Sequence, residues 1–67
     1  MKPIEYSKAL LAAMAYTGHT QEELARKIGI SVDTLGRRLK HPERFTVREL
    51  EAADQVIKWR KFTQEVR

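Results

Sequence analysis

The stretch Thr20 to Lys40, TQEELARKIGISVDTLGRRLK, decides the fold of this chain. Thr20 followed three residues later by Glu23 is a capping box: the hydroxyl accepts an amide proton at a helix start, and the carboxylate reaches back to the cap amide. A first helix therefore starts near Gln21. Leu24 and Ile28 fall four apart on its inner face, and Gly29 supplies the left-handed residue that ends it. Ile30 is apolar inside the turn. Ser31 is an N-cap for a second helix, in which Val32, Leu35 and Leu39 share one side. Ala25 is small enough to let the two axes approach at the steep crossing that a three- to four-residue turn imposes. Two capped helices held this close read as a helix-turn-helix.

Outward from the motif, four or five helices fit the chain, with no period-two segment long enough for a strand. Before it, Tyr6, Leu10, Ala13, Met14 and Thr17 fall on one helical face, and Gly18 closes that helix. Residues Ala9 to Tyr16 are apolar nearly all round, which leaves Leu11, Ala12 and Ala15 outside the core stripe. Alanine favours helix wherever it points, so exposure of Leu11 is the simpler expectation and a self-association patch the other. After the motif, His41 precedes Pro42 and HPERF is a loop. Thr46 with Glu49 is a second capping box, with Phe45 placed to staple onto Leu50. The helix that follows has Val47, Leu50, Ala53 and Ile57 on its inner face. Nothing in IKWRKFTQEVR, which lacks Gly and Pro, marks where it stops.

Sixty-seven residues give one domain, 1–67, with a small core and the motif at about 20–40. The chain has no cysteine, so neither a disulfide nor zinc-finger spacing is available, in keeping with a reducing cytoplasm. No apolar run approaches the ~18 residues of a membrane span, and MKPIEYSK is not a signal peptide. Thirteen Lys and Arg against nine Asp and Glu leave a net charge of +4. The cations are clustered: Arg37, Arg38, Lys40 and Arg44 in one group, Lys58, Arg60 and Lys61 in another. Clustering of this kind is a nucleic-acid footprint.

The motif resembles the DNA-binding domain of the phage lambda-repressor and Cro group, the XRE-type helix-turn-helix family. That family has Gln at the start of the first motif helix, apolar residues at its fourth and eighth positions, Ala at the fifth and Gly at the ninth. Here these are Gln21, Leu24, Ile28, Ala25 and Gly29. An apolar turn residue, a Ser or Thr cap and an apolar mid-helix residue follow, matched by Ile30, Ser31 and Leu35. One position departs, because three residues after Leu35 the chain has Arg38 and places Leu39 next. The resemblance covers about Leu10 to Ile57. It implies an all-α, four- to five-helix lambda-repressor-like domain, and a Cro-like repressor of phage or prophage origin acting on operator DNA in a bacterial or phage-infected cell.

On that reading the recognition helix, about 32–40, enters the major groove. At 100° per residue Asp33, Gly36, Arg37 and Lys40 point away from the core, flanked by Thr34 and Arg38. Arg37 is the first candidate for base contact, since its fork matches guanine O6 and N7; as a helix-end cation it is equally placed for phosphate. Asp33 suits the helix dipole whether or not it meets a cytosine amine. Gly36 weakens a helix by ~1 kcal/mol relative to Ala, a cost that close approach to DNA would explain as well as simple tolerance. Val32 is a base-contact candidate by family position and a core residue by periodicity. Phosphate contacts are expected from Gln21, Ser31, Thr34, Arg38, Lys40, Arg44 and Thr46, around the same helix.

A homodimer, at least on DNA, is expected because one small module makes too little contact for tight specific binding. Val56, Trp59, Phe62 and Val66 supply the apolar surplus for its interface, through the segment Val56 to Val66 that runs into a tail of about 58–67; the other reading is that Trp59 and Phe62 fold back to close the monomer core. Two other readings are an antitoxin whose segment from Trp59 binds a toxin, and a helical adaptor without DNA binding. Enzyme chemistry has no support: no Cys nucleophile, no Gly-rich phosphate loop, and two histidines, His19 and His41, in turns without metal-ligand spacing. No cofactor, metal or small-molecule ligand is expected.

Overall fold

The computed structural model describes the backbone of residues 3–63 and the side chains of residues 6–63. Among the described residues five α-helices run in order: α1 Pro3–Thr17, α2 Gln21–Ile28, α3 Val32–Lys40, α4 Val47–Ile57 and α5 Arg60–Thr63. A 3-10 turn, Pro42–Arg44, takes the place of the expected HPERF loop. No strand occurs among the described residues, so the domain is all-α. No described helix is long and apolar enough to cross a membrane.

Both capping boxes form. The Thr20 amide donates to Glu23 Oε1 at 2.9 Å and the Glu23 amide to Thr20 Oγ1 at 3.1 Å. At α4 the Thr46 amide donates to Glu49 Oε1 at 3.0 Å and the Glu49 amide to Thr46 Oγ1 at 3.1 Å. Helix α2 ends on Gly29 at φ 82°, the left-handed conformation in which a side chain would strain the backbone. Between α1 and α2, Lys27 Nζ donates to His19 Nε2 at 3.1 Å. The other ring nitrogen lies 2.8 Å from Thr17 Oγ1. Thr17 in turn donates to the Ala13 carbonyl at 2.8 Å.

The core is built from one face of each longer helix, with Leu10, Leu24, Leu35 and Ile57 fully buried and Ala9, Ala13, Met14, Ala25, Ile28, Leu50 and Ala53 around them. Leu11 is 48% exposed and Tyr16 74%, so the outer face of α1 is a surface face. Two expected inner residues point outward: Val32 is 42% and Val47 71% exposed. Each is the first residue of its helix. The residue before each cap, Ile30 or Phe45, packs against the core instead, as the apolar residue of a staple does. The buried stripe of each helix begins about one turn later, at Leu35 and Leu50.

The C-terminal segment differs most from expectation. Helix α4 stops at Ile57 because Lys58 turns left-handed at φ 51°, its amide still bonded to the Asp54 carbonyl at 2.8 Å. The reversal throws Trp59 into the core at 2% exposure, where its Nε1–H donates to the Leu50 carbonyl at 2.8 Å. Tyr6 meets the indole edge-on, ring centroids 5.7 Å apart. Phe62 packs against Tyr16 in the same manner at 5.7 Å. Trp59 is therefore no exposed anchor for a dimer or a toxin, and Val56 and Phe62 are half-buried against the same core. The apolar surplus expected for a partner closes the monomer. Val66 lies outside the described residues.

Candidate nucleic-acid interface

Helix α3 has a buried side and an open side, and its sequence sets which is which. Ser31 caps it, accepting the Thr34 amide at 3.0 Å and donating to Thr34 Oγ1 at 2.8 Å. Leu35 is fully buried and Leu39 packs half-buried against the core. Asp33, Arg37 and Lys40, spaced four and three apart, are all exposed along the opposite side. Val32 joins them on the exposed surface and is not a core residue. Asp33 sits in the first turn and Arg37, Arg38 and Lys40 in the last, so each charge also complements the helix dipole.

Gln21, the first residue of α2, lies beside the middle of α3: a Cβ built on Gly36 would stand 4.0 Å from Gln21 Oε1. The structure thus brings together Gln21, Gly36 and the Asp33–Arg37–Lys40 stripe. Arg44, exposed, follows directly in the 3-10 turn. Thr46 is exposed, with its amide and hydroxyl engaged in the α4 capping box. Ser31 and Thr34 are engaged with each other at the start of α3.

Arg38 is the candidate phosphate contact that the structure turns elsewhere. Its Nε donates to Glu49 Oε1 at 3.1 Å, its Nη2 lies 3.5 Å from Oε2, and three quarters of its side chain is covered. Glu49 is the one buried charged residue among those described. Burial pushes its carboxyl up, but the Thr46 amide, the Arg38 guanidinium and the Thr46 hydroxyl together outweigh that and hold it below the usual carboxylate value of 4.5. The pair ties the last turn of α3 to the start of α4. Sequence reasoning missed it because partners eleven residues apart on different helices leave no periodic signal. It also missed Ser7, whose hydroxyl donates to the Leu39 carbonyl at 2.6 Å, and the exposed Arg48 in the first turn of α4.

His41 and Glu43 approach to 3.8 Å on the open surface, and no group of three or more potential metal ligands occurs among the described residues. The face is therefore one of helix-borne cations and amides, suited to a polyanion with a groove wide enough for a helix.

Comparison with known families gives a match over residues 7–41 to the bacterial regulatory proteins of the Fis family, just over half of the chain. The matched region runs from α1 to the cap residue of α3 and so contains the whole helix-turn-helix. It supports a helix-turn-helix DNA-binding domain under the Fis name, not specifically under that of the lambda-repressor and Cro group. No curated protein and no solved structure matches the chain. With an open, cationic second helix in a capped helix-turn-helix, and a family match spanning both, this chain belongs to the Fis family of bacterial regulatory proteins.

Proposed function

We propose that the chain is a sequence-specific regulator of transcription that lays α3 in the major groove of an operator and represses in the manner of Cro. The observation that carries this reading is the exposed stripe Asp33–Arg37–Lys40, with Val32 and Gly36 beside it and Gln21 against it. Arg37 reads a guanine through its fork, and Asp33 rejects sequences that offer no amine donor. Gln21, Ser31, Thr34, Lys40, Arg44 and the start of α4 at Thr46 set the register on phosphates. The Cro-like assignment rests on the pattern Gln21, Leu24, Ala25, Ile28, Gly29, Ile30, Ser31 and Leu35. Two copies act on a two-fold symmetric site with half-sites about one helical turn apart, since one module makes little contact. The place of action is the nucleoid of a bacterial cell or of a phage-infected host.

The test is selection of bound sequences from a random duplex pool, followed by footprinting. The expected result is a palindromic consensus protected over two half-sites, with Arg37→Ala relaxing one base position in each by an amount equivalent to about 1–3 kcal/mol. An equal loss on operator and random duplex would make Arg37 a phosphate contact. A single protected half-site would remove the dimer, and no enrichment at all would remove the reading.

A further inference from the structure

The last turn of helix α3 carries two polar tethers besides its apolar packing. Helix α3 packs closely on α2 and on the 3-10 turn, whereas its backbone meets α1 and α4 only sparsely. Yet a polar tether reaches it from each of those two helices. From α1, the Ser7 hydroxyl donates to the Leu39 carbonyl at 2.6 Å. That carbonyl belongs to the last turn of α3, where no further helical amide follows to satisfy it. From α4, Glu49 holds Arg38 at 3.1 Å with the same Oε1 that accepts the Thr46 amide at 3.0 Å. One carboxylate oxygen therefore joins the start of α4 to the last turn of α3. Among the described residues no buried side-chain nitrogen or oxygen lacks a partner.

We propose that Ser7, Arg38 and Glu49 are positioning residues that fix the tilt of the recognition helix, and with it the placement of Arg37 on base edges. The inference rests on the DNA-binding reading above and assigns these residues no contact with bases. The geometry explains the need for them. At about 1.5 Å per residue α3 is roughly 13 Å long, so a tilt of about 5° about its Ser31 end moves its Lys40 end by about 1 Å. A binding constellation works only when held to within about 0.5 Å. Apolar packing of Leu35 and Leu39 is non-directional and tolerates such a tilt; hydrogen bonds to a carbonyl and a carboxylate do not. Arg37 and Arg38 are neighbours in sequence and differ in role for the same reason: one guanidinium faces outward and the other is held by α4.

The test uses the full chain with Ser7→Ala, Arg38→Met and Glu49→Gln, the last chosen because glutamine still completes a capping box while withdrawing the charge. Amide hydrogen exchange without DNA reads the tethers directly. Exchange over residues 37–40 should rise about tenfold in each variant while residues 50–57 of α4 keep their protection, the pattern of a local rather than a global opening. Binding to the selected operator and to a random duplex then reads the consequence. The ratio of the two affinities should fall about tenfold, the scale of one lost bidentate base contact, with the salt slope unchanged because phosphate contacts persist. Unchanged exchange in Ser7→Ala and Glu49→Gln would overturn the tethers. Altered exchange with an unchanged affinity ratio would overturn their role in readout, and a salt slope lowered by about one in Arg38→Met would return Arg38 to the phosphates. If the wild type shows no sequence preference, the DNA reading fails, and exchange alone still decides whether the tethers hold α3.

Discussion

Helices α2 and α4 are built to one plan and do different work. Each opens on a Thr-x-x-Glu capping box with both hydrogen bonds made, and each closes on a left-handed residue. At α2 the capping carboxylate belongs to Glu23, which bonds only to Thr20 and stands near His19 and Lys27; the closing residue is Gly29. At α4 the carboxylate belongs to Glu49, buried and shared with Arg38, and the closing residue is Lys58. The α2 version is a local device that starts and stops a helix. The α4 version makes its start bond part of the tertiary structure and uses its stop to bury Trp59. A local motif thus carries no fixed energetic weight; the neighbours of its carboxylate decide it.

The stop of α4 is the place to break the comparison hardest. Trp59→Ala should cost about 3–5 kcal/mol, the range for deleting a buried large aromatic, and leave the Leu50 carbonyl without its indole donor. In a domain this small, chemical denaturation should then show most of the stability gone. Loss of less than 1 kcal/mol would mean that the turn at Lys58 does not hold the indole inside.

Next comes the pair of carboxylates. Glu49→Ala removes a cap bond and leaves Arg38 without its acceptor, so it should cost about 2 kcal/mol. Glu23→Ala should cost clearly less, because it removes a solvated cap bond alone. Equal losses in urea titrations would erase the distinction drawn between the two boxes.

Acid sharpens the same point. Hydrogen bonds to Thr20 hold the Glu23 carboxyl below its usual 4.5, and Glu49 is held below it as well, against the opposing effect of burial. A carboxyl with a depressed folded value contributes stability that is fully present above 4.5 and is lost as pH falls through the folded value. Melting temperature should therefore drop below pH 4.5, and Glu49→Gln should flatten that drop, since glutamine has no proton to take up there. A slope unchanged in the Gln variant would show that other carboxylates carry it.

The closing residues give the smallest effects, with opposite signs. Gly29→Ala has open space around the added methyl, so its cost is the backbone strain at φ 82° alone, about 1 kcal/mol. Lys58→Gly relieves strain at φ 51° and should stabilise by a few tenths to about 1 kcal/mol. Thermal melts of the two variants should move in opposite directions.

The parts of this architecture that were legible are those written in local chemistry. Thr20, Glu23, Gly29, Ser31, Thr46 and Glu49 each act on residues within four positions, so the helix starts, the end of α2 and the helix-turn-helix follow from reading along the chain. The buried set Leu10, Leu24, Leu35, Leu50 and Ile57 follows from helical period. What stayed illegible depends on contacts across the fold. A lysine in the left-handed region has no signature, so the end of α4 was hidden, and the inward turn of Trp59 was only one of two readings that the apolar tail left open. Arg38 and Glu49 meet across two helices, as do Ser7 and Leu39. The outward stripe Asp33–Arg37–Lys40 was readable because exposure on a helix is the complement of its buried period; Val32 sat at the helix start, where that period does not yet apply.

Gly36 has a consequence for how the domain can change over time. Its surroundings accept a methyl group at ordinary contact distance from Gln21, and its backbone is not in the left-handed region. Alanine there would stiffen the recognition helix by about 1 kcal/mol, a one-step improvement open to the chain under selection for stability alone. The position therefore reports what the outward face encounters. If the duplex presses to within a methyl's width, Gly36→Ala raises the melting temperature and weakens operator binding; if it does not, the melting temperature rises and binding holds.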